Sequence, residues 1–431
     1  MHQHCAGLKI RETAGGFRHR SLLVTHLRLS LLALFTGAVS GGGVALIMGL
    51  IGRAGDQLWG APVEEALALS MPLPWSLTIC GSFGLALSLL HRNRPHSLLP
   101  ELVETLEELR DPDIAPRRDN KRALLGATIA QIGGGSIGPE ALMSRLAALI
   151  SQRIWRGRDH AMQSAAVAGS LGLFGAPLLG GAVVSHRRAD LLERWLPGTL
   201  GGLAGFALFH GLIEVSGGSL QRLPYVWPTN IGESIGTITA GLVAGLMGCG
   251  LGVLLLWWRE WLIGQRLMNR WPWWPLVTGL LLGALMHWLP LVPFAGEEQL
   301  KPLLEDQNSS GAAVLIISGL VKLMMLGICL ETGWRGGIFF PLFLVACCIG
   351  MAFHQLLPDV ASLGSWCGGL TGALYRMVLP SPLVAMVLGL ALLQGHGSGG
   401  LLVGLGVAHL IRSRMPRGDV PPPLPQTPDS L

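Results

Sequence analysis

The sequence predicts an all-α membrane protein built from two inverted repeats of tilted, partly discontinuous helices. Three observations predict it: an apolar composition, a series of long uncharged runs, and Gly/Pro-broken segments at matching places in the two halves. Half of the 431 residues are hydrophobic and only 13% are charged, against about a quarter in a soluble domain. Glycine numbers 61, and tryptophan outnumbers tyrosine 14 to 2. A soluble chain of this length has nowhere to hide so much apolar surface; a membrane chain uses lipid as its solvent.

The apolar runs fall near 29–52, 73–90, 162–184, 196–213, 236–258, 274–294, 311–330, 337–357 and 379–411. A helix needs about 20 apolar residues to cross the hydrocarbon core, so these runs predict about ten or more membrane segments. Several are interrupted by Gly or Pro, as in transporters with discontinuous helices.

The net charge of +5 is confined to the ends and a few connections, so no nucleic-acid partner is expected. Lys9, Arg11, Arg18, Arg20 and Arg28 precede the first run, and Arg412, Arg414 and Arg417 follow the last. The positive-inside rule then places both termini in the cytoplasm. The basic connection 259–270 is flanked by Trp257, Trp258, Trp261, Trp271, Trp273 and Trp274, the composition of an interfacial aromatic belt. No cleavable signal peptide is expected, because the first apolar run starts late and is long. The seven cysteines form no CxxC pair; neither a disulfide framework nor a metal site is expected, and no cofactor is called for.

Five zones follow: a basic, loosely ordered cytoplasmic tail (1–28), a first membrane repeat (29–214), a connection (215–235), a second repeat (236–411), and a Pro-rich cytoplasmic tail (412–431). The repeats share landmarks. Gly135-Ser136-Ile137-Gly138-Pro139 and Gly337-Ile338-Phe339-Phe340-Pro341 each place Pro four residues after Gly. Ala176-Pro177-Leu178 and Ser381-Pro382-Leu383 follow. The prolines lie 341 − 139 = 202 and 382 − 177 = 205 residues apart. Each half also carries a polar stretch upstream, 97–109 and 296–306.

In both broken segments glycines free the backbone, and proline suits the first turn of the helix that follows. A helix start exposes unpaired N–H groups and a partial positive charge. Two such starts aimed at one spot make an anion site that releases its ion, as conduction requires. The competing reading is that the glycines only let helices pack closely.

These residues carry a family resemblance. Gly337-Ile338-Phe339-Phe340-Pro341 matches the G-x-F-x-P signature of the CLC chloride channels and chloride/proton antiporters. Gly135-Ser136-Ile137-Gly138-Pro139 resembles the family's G-[KR]-E-G-P, and Phe174-Gly175-Ala176-Pro177-Leu178 its F-N-A-P-L. His96-Ser97-Leu98-Leu99-Pro100-Glu101 sits where the family has G-S-G-I-P-E. The resemblance spans about residues 29–411 and is to a divergent bacterial branch. It implies a homodimer in the bacterial inner (plasma) membrane, with one pathway per subunit for chloride or another small anion. Backbone N–H groups of Ile338 and Phe339, with neighbouring Phe340, and the Ser97 hydroxyl would hold the ion. The backbone of Gly135, Ser136, Ile137 and Gly138 would form the outer part of the site.

Two departures bear on mechanism. The family's gating glutamate precedes the Gly-Pro pair, and here that residue is Ile137. The antiporters' internal proton glutamate falls on Arg187, beside His186. The resemblance therefore implies channel-like, passive anion movement without proton coupling. The alternative is an anion/proton exchanger using Glu140 or His396. Glu140 is either a displaced gate or an acid stabilised in a helix's first turn. Lys322, 19 residues before Pro341, either raises the local potential or packs. His396, at the position of the family's inner-gate tyrosine, either titrates on the pathway or is hydrogen-bonded inside. A third reading, of another class, is an intramembrane serine hydrolase at Ser136 or Ser398. Gly134-Gly135-Ser136-Ile137-Gly138 fits G-x-S-x-G, but that motif needs a strand before it, and no enzymatic activity is expected.

Overall fold

The computed structural model describes residues 6–59, 71–92, 98–101, 104–105, 119–155, 165, 169, 195–215, 225–228, 235–307 and 310–415. Fourteen helices lie among them. The first half holds α1 (Ala6–Trp59), α2 (Leu73–His91), α3 (Asn120–Ile132), α4 (Glu140–Trp155) and α5 (Leu196–Val215). The second holds α6 (Ile235–Gln265), α7 (Leu267–Arg270), α8 (Trp274–Trp288), α9 (Glu297–Glu305), α10 (Ala312–Glu331), α11 (Phe339–Leu356), α12 (Leu363–Val378), α13 (Pro382–Leu392) and α14 (Ser398–Arg414).

Local chemistry sets the starts. Asp119 accepts the Arg122 N–H at α3, Ser362 the Ser365 N–H at α12, and Ser381 the Val384 N–H at α13. Each side chain satisfies a donor that the helix leaves unpaired. Pro382 opens α13; its counterpart Pro177 lies outside the described residues.

Among the described residues, five helices are long and apolar enough to cross a membrane: Leu27–Trp59, Leu73–His91, Gly236–Arg270, Ala312–Glu331 and Phe339–Leu356. Three shorter apolar helices join them: Leu196–Leu212, Trp274–Trp288 and Pro382–Leu392. Of the about ten or more membrane segments expected, these eight apolar helices lie among the described residues, several of them too short to span alone; the run near 162–184 lies almost wholly outside the described residues. A difference is at the N-terminus. Segment 1–28, expected as a loose tail, is helical from Ala6 onward.

Glycine brings the helices into backbone contact, as small residues do in membranes. Gly279 and Gly283 of α8 face the Cys80 and Ser76 backbone of α2, and Gly400 and Gly404 of α14 face Ser365 and Gly369 of α12. Six cysteines, Cys80, Cys249, Cys329, Cys347, Cys348 and Cys367, are buried and unbridged, as packing residues are. Helix α11 runs through the centre, buried from Phe339 to Ala352. The inter-repeat connection is stitched into the second half: Tyr225 and Trp227 both donate to the Leu392 carbonyl, at 2.9 and 3.1 Å. Trp257, Trp261 and Trp271 stand exposed on the outside. Trp258 turns inward to donate to the Met324 carbonyl.

Candidate functional site

The two glycine segments meet. Gly138 donates to the Gly337 carbonyl at 2.7 Å, and Gly337 returns the bond at 2.6 Å. This antiparallel bridge is the one isolated β-bridge among the described residues. It joins the loop that enters α4 to the loop that enters α11.

Both loops are built alike. After α3, Gly133 and Gly135 donate to Ile129 and Ala130, and Gly134 takes φ +87°. After α10, Thr332 and Trp334 donate to Ile328 and Cys329, and Gly333 takes φ +90°. A left-handed glycine just past a helix end satisfies its last carbonyls. The differences 333 − 134, 334 − 135 and 337 − 138 all give 199. The structural register is therefore 199, not the 202 that the G-x-x-x-P match predicts. Gly138 corresponds to Gly337, and the two prolines are not counterparts. Helix-ending glycines and the shared bridge set the register, and a proline in the first turn tolerates a shift of a few residues.

The register shift matters because it brings Glu140 into the site. Glu140 opens α4 and is fully buried. Its Oε1 accepts the Phe340 N–H at 2.9 Å, and the Phe339 N–H is also directed at the carboxylate. The other oxygen, Oε2, has no hydrogen-bond partner. It occupies the space that a Cβ on Gly138 or Gly337 would fill. Glycine at both positions is thus a requirement of room, not only of backbone freedom. A carboxylate of the first repeat sits on the helix start of the second, where exposed N–H groups and the dipole favour negative charge.

The remaining predicted residues divide. Ile338, Phe339 and Phe340 form the start of α11 and are buried. The amides of the other loop do not face an ion as expected. Those of Gly135, Ile137 and Gly138 are bonded to the Ala130, Gly135 and Gly337 carbonyls, because the loop uses them to cap α3, to turn on itself and to form the bridge. Ser136 is buried with its hydroxyl unpartnered. The segment before it is helix α3, so the strand that a nucleophile elbow needs is missing. Ile137 faces a cavity of about 130 Å³ beside the loop. Lys322 is fully buried, and its Nζ donates to the Leu291, Val292, Pro293 and Phe294 carbonyls at 2.9–3.3 Å. It pins the segment leading into α9 rather than reaching the ion site. His396 packs behind Gly364, at the start of α12. Tyr375, near the other end of α12, reaches Phe339, so about three helical turns separate His396 from the site. Ser97 and Arg187 lie outside the described residues.

Two features escaped the sequence reading. The Tyr375 hydroxyl donates to the Phe339 carbonyl at 2.8 Å, and its ring meets Phe339 edge-on. The scarcity of tyrosine was the one available signal. Arg259 donates to Glu101 at 2.6 Å and to Glu331 at 3.2 Å. It ties the Leu98–Glu101 segment of the first repeat to the end of α10.

Comparison with known proteins bears on the family and the fold. Residues 83–412 match the family model "Voltage gated chloride channel". Curated relatives from Escherichia coli strains, described as "Putative ion-transport protein YfeO", are 26% identical over 357 residues, covering 78% of this chain and 81% of theirs. A slow cyanobacterial Cl−/H+ antiporter superposes with a TM-score of 0.69 at 18% identity, covering 90% of this chain and 95% of its own. A CLC-type fluoride/proton antiporter superposes with 0.67 at 17% identity, covering 89% and 95%. A eukaryotic CLC transporter superposes with 0.63 at 17% identity, covering 90% and 72%. Two mirrored helix starts joined by a glycine bridge, on a chain matched by the family model over most of its length, lead to one statement: the chain belongs to the voltage-gated chloride channel family.

Proposed function

We propose that this anion transporter moves a small anion, chloride or one of similar size, along a passive pathway that opens when Glu140 is protonated. The observation that carries the reading is the Glu140 carboxylate on the Phe340 N–H. A carboxylate oxygen there stands in for the anion and competes for the same donors. Protonation removes its charge and its preference for the helix start, and the ion takes its place.

The sequence argument for a gate-free pathway rested on Ile137, and the carboxylate comes instead from three residues further on. The passive part of the reading rests on the resemblance, by which the internal proton position falls on Arg187. A second reading, exchange of anion against proton, is favoured by Glu140 itself, since a titratable group in the ion's seat can carry a proton. Chloride flux from liposomes, with pH recorded alongside, separates the two. The proposal expects flux that rises as pH falls, with no fixed ratio of protons moved. A fixed proton-to-chloride ratio establishes the exchanger, and absence of flux at every pH defeats both.

A further inference from the structure

We propose that Glu297 is the proton station serving Glu140, reached from the cavity beside the Gly138–Gly337 bridge. The inference rests on the reading of Glu140 as the gate.

The cavity of about 130 Å³ is lined by Ile137 and Pro139, the residues leading to Glu140, and by Asp56, Glu297 and Glu298. An anion pathway walled by acids opposes its own ion, so these carboxyls suit protons better. Glu297 is half-buried. Its Oε2 is shielded from solvent and has no hydrogen-bond partner, like Oε2 of Glu140.

Its placement is built by several independent contacts. Phe294 donates to the Gly134 carbonyl at 3.1 Å, hooking segment 290–296 onto the loop that enters α4. Trp59 meets Phe294 edge-on at 5.4 Å and donates to Ile132. Gln299 donates to Pro290 and Pro293. Lys322 holds the four carbonyls behind. Gly296, at φ +116°, then turns the chain so that α9 begins with Glu297.

The charged and titratable groups facing Glu297 are Glu298 on its own helix, Glu140 on α4, Lys322 on α10 and Tyr225 on the inter-repeat connection. Asp56 of α1 faces the same cavity. The step is a proton transfer carried by water in the cavity, each water passing on one proton and receiving another. The O–H bond on the Glu297 carboxyl breaks, one forms on Glu140, and solution reprotonates Glu297 through the cavity. The sign of the coupling follows. A negative Glu297 disfavours a negative Glu140, so it lets Glu140 take its proton at higher pH.

The experiment is the pH profile of chloride flux from liposomes for the wild type and for Glu297→Gln, Glu140→Gln and Glu305→Gln. Glu297→Gln should conduct, with its activation midpoint moved to lower pH by about one unit, as expected for loss of a nearby charge in a partly polar interior. Glu305→Gln, exposed at the other end of the same helix, should match the wild type. If the wild type conducts, Glu140→Gln abolishes its pH dependence, and Glu297→Gln superposes on the wild type, the relay is overturned while the gate stands. If Glu140→Gln keeps the wild-type profile, the gate itself fails. Should Glu297→Gln not fold, infrared titration of Glu140→Gln decides. A buried carboxyl band that still titrates supports the relay, and its absence overturns it.

Discussion

At Glu140 one side chain joins the two halves of the molecule. Its carboxylate accepts from Phe340 and rests against Gly138 and Gly337. A charge-assisted hydrogen bond contributes about 1.5–3 kcal/mol, so removing the competing carboxylate should raise chloride flux at neutral pH by on the order of tenfold. Glu140→Gln should show that rise and lose pH dependence in a liposome flux assay. Gly337→Ala should behave similarly, because its Cβ would overlap the carboxylate and expel it; a tightly pH-gated Gly337→Ala would argue against the placement. Ile137 marks the limit of counting from a motif. By the motif it falls at the family's glutamate position, yet it lines the cavity. The double variant Ile137→Glu with Glu140→Gln is therefore predicted not to regain pH gating, measured by the same flux.

Among the elements, α11 and its entry loop were legible in the sequence, and the register of the mirrored loop was not. Gly337, Phe339 and Pro341 announce a glycine-freed helix start, and the structure has one. A G-x-x-x-P match is silent on which glycine caps the preceding helix. That depends on left-handed backbone at Gly134 and Gly333, and sequence spacing did not separate them from their neighbours. Lys322 was legible as an unusual buried charge but not in its role. Four carbonyls 28 to 31 residues away hold it, a partnership created only by the fold. Lys322→Met should take this donor from the Leu291, Val292 and Phe294 carbonyls, with Pro293 still held by Gln299, and destabilise the protein by about 3 kcal/mol. A lowered thermal-unfolding midpoint in detergent would report it; an unchanged midpoint would show the loop holds without the lysine.

For the whole molecule, composition and run length read membrane protein correctly, and the paired motifs read two related halves that converge. Neither could show which contacts bind the halves beyond the site. Arg259 does so, linking Glu101 of the first repeat to Glu331 of the second. Tyr225 and Trp227 fasten the connection to Leu392. The resemblance also implies a homodimer, and native mass spectrometry in detergent should find two chains per particle; a monomer that transports anions would show that each pathway is self-sufficient.

The claim that matters most is that the Glu140 carboxylate occupies the anion's own seat. Bromide soaked into crystals, and located by its anomalous scattering, tests this directly. The account predicts a bromide peak at the Phe339 and Phe340 amides in Glu140→Gln, and a weak or missing peak there in the wild type at neutral pH. Equal bromide occupancy in both proteins, or a bromide site remote from the start of α11, would contradict it.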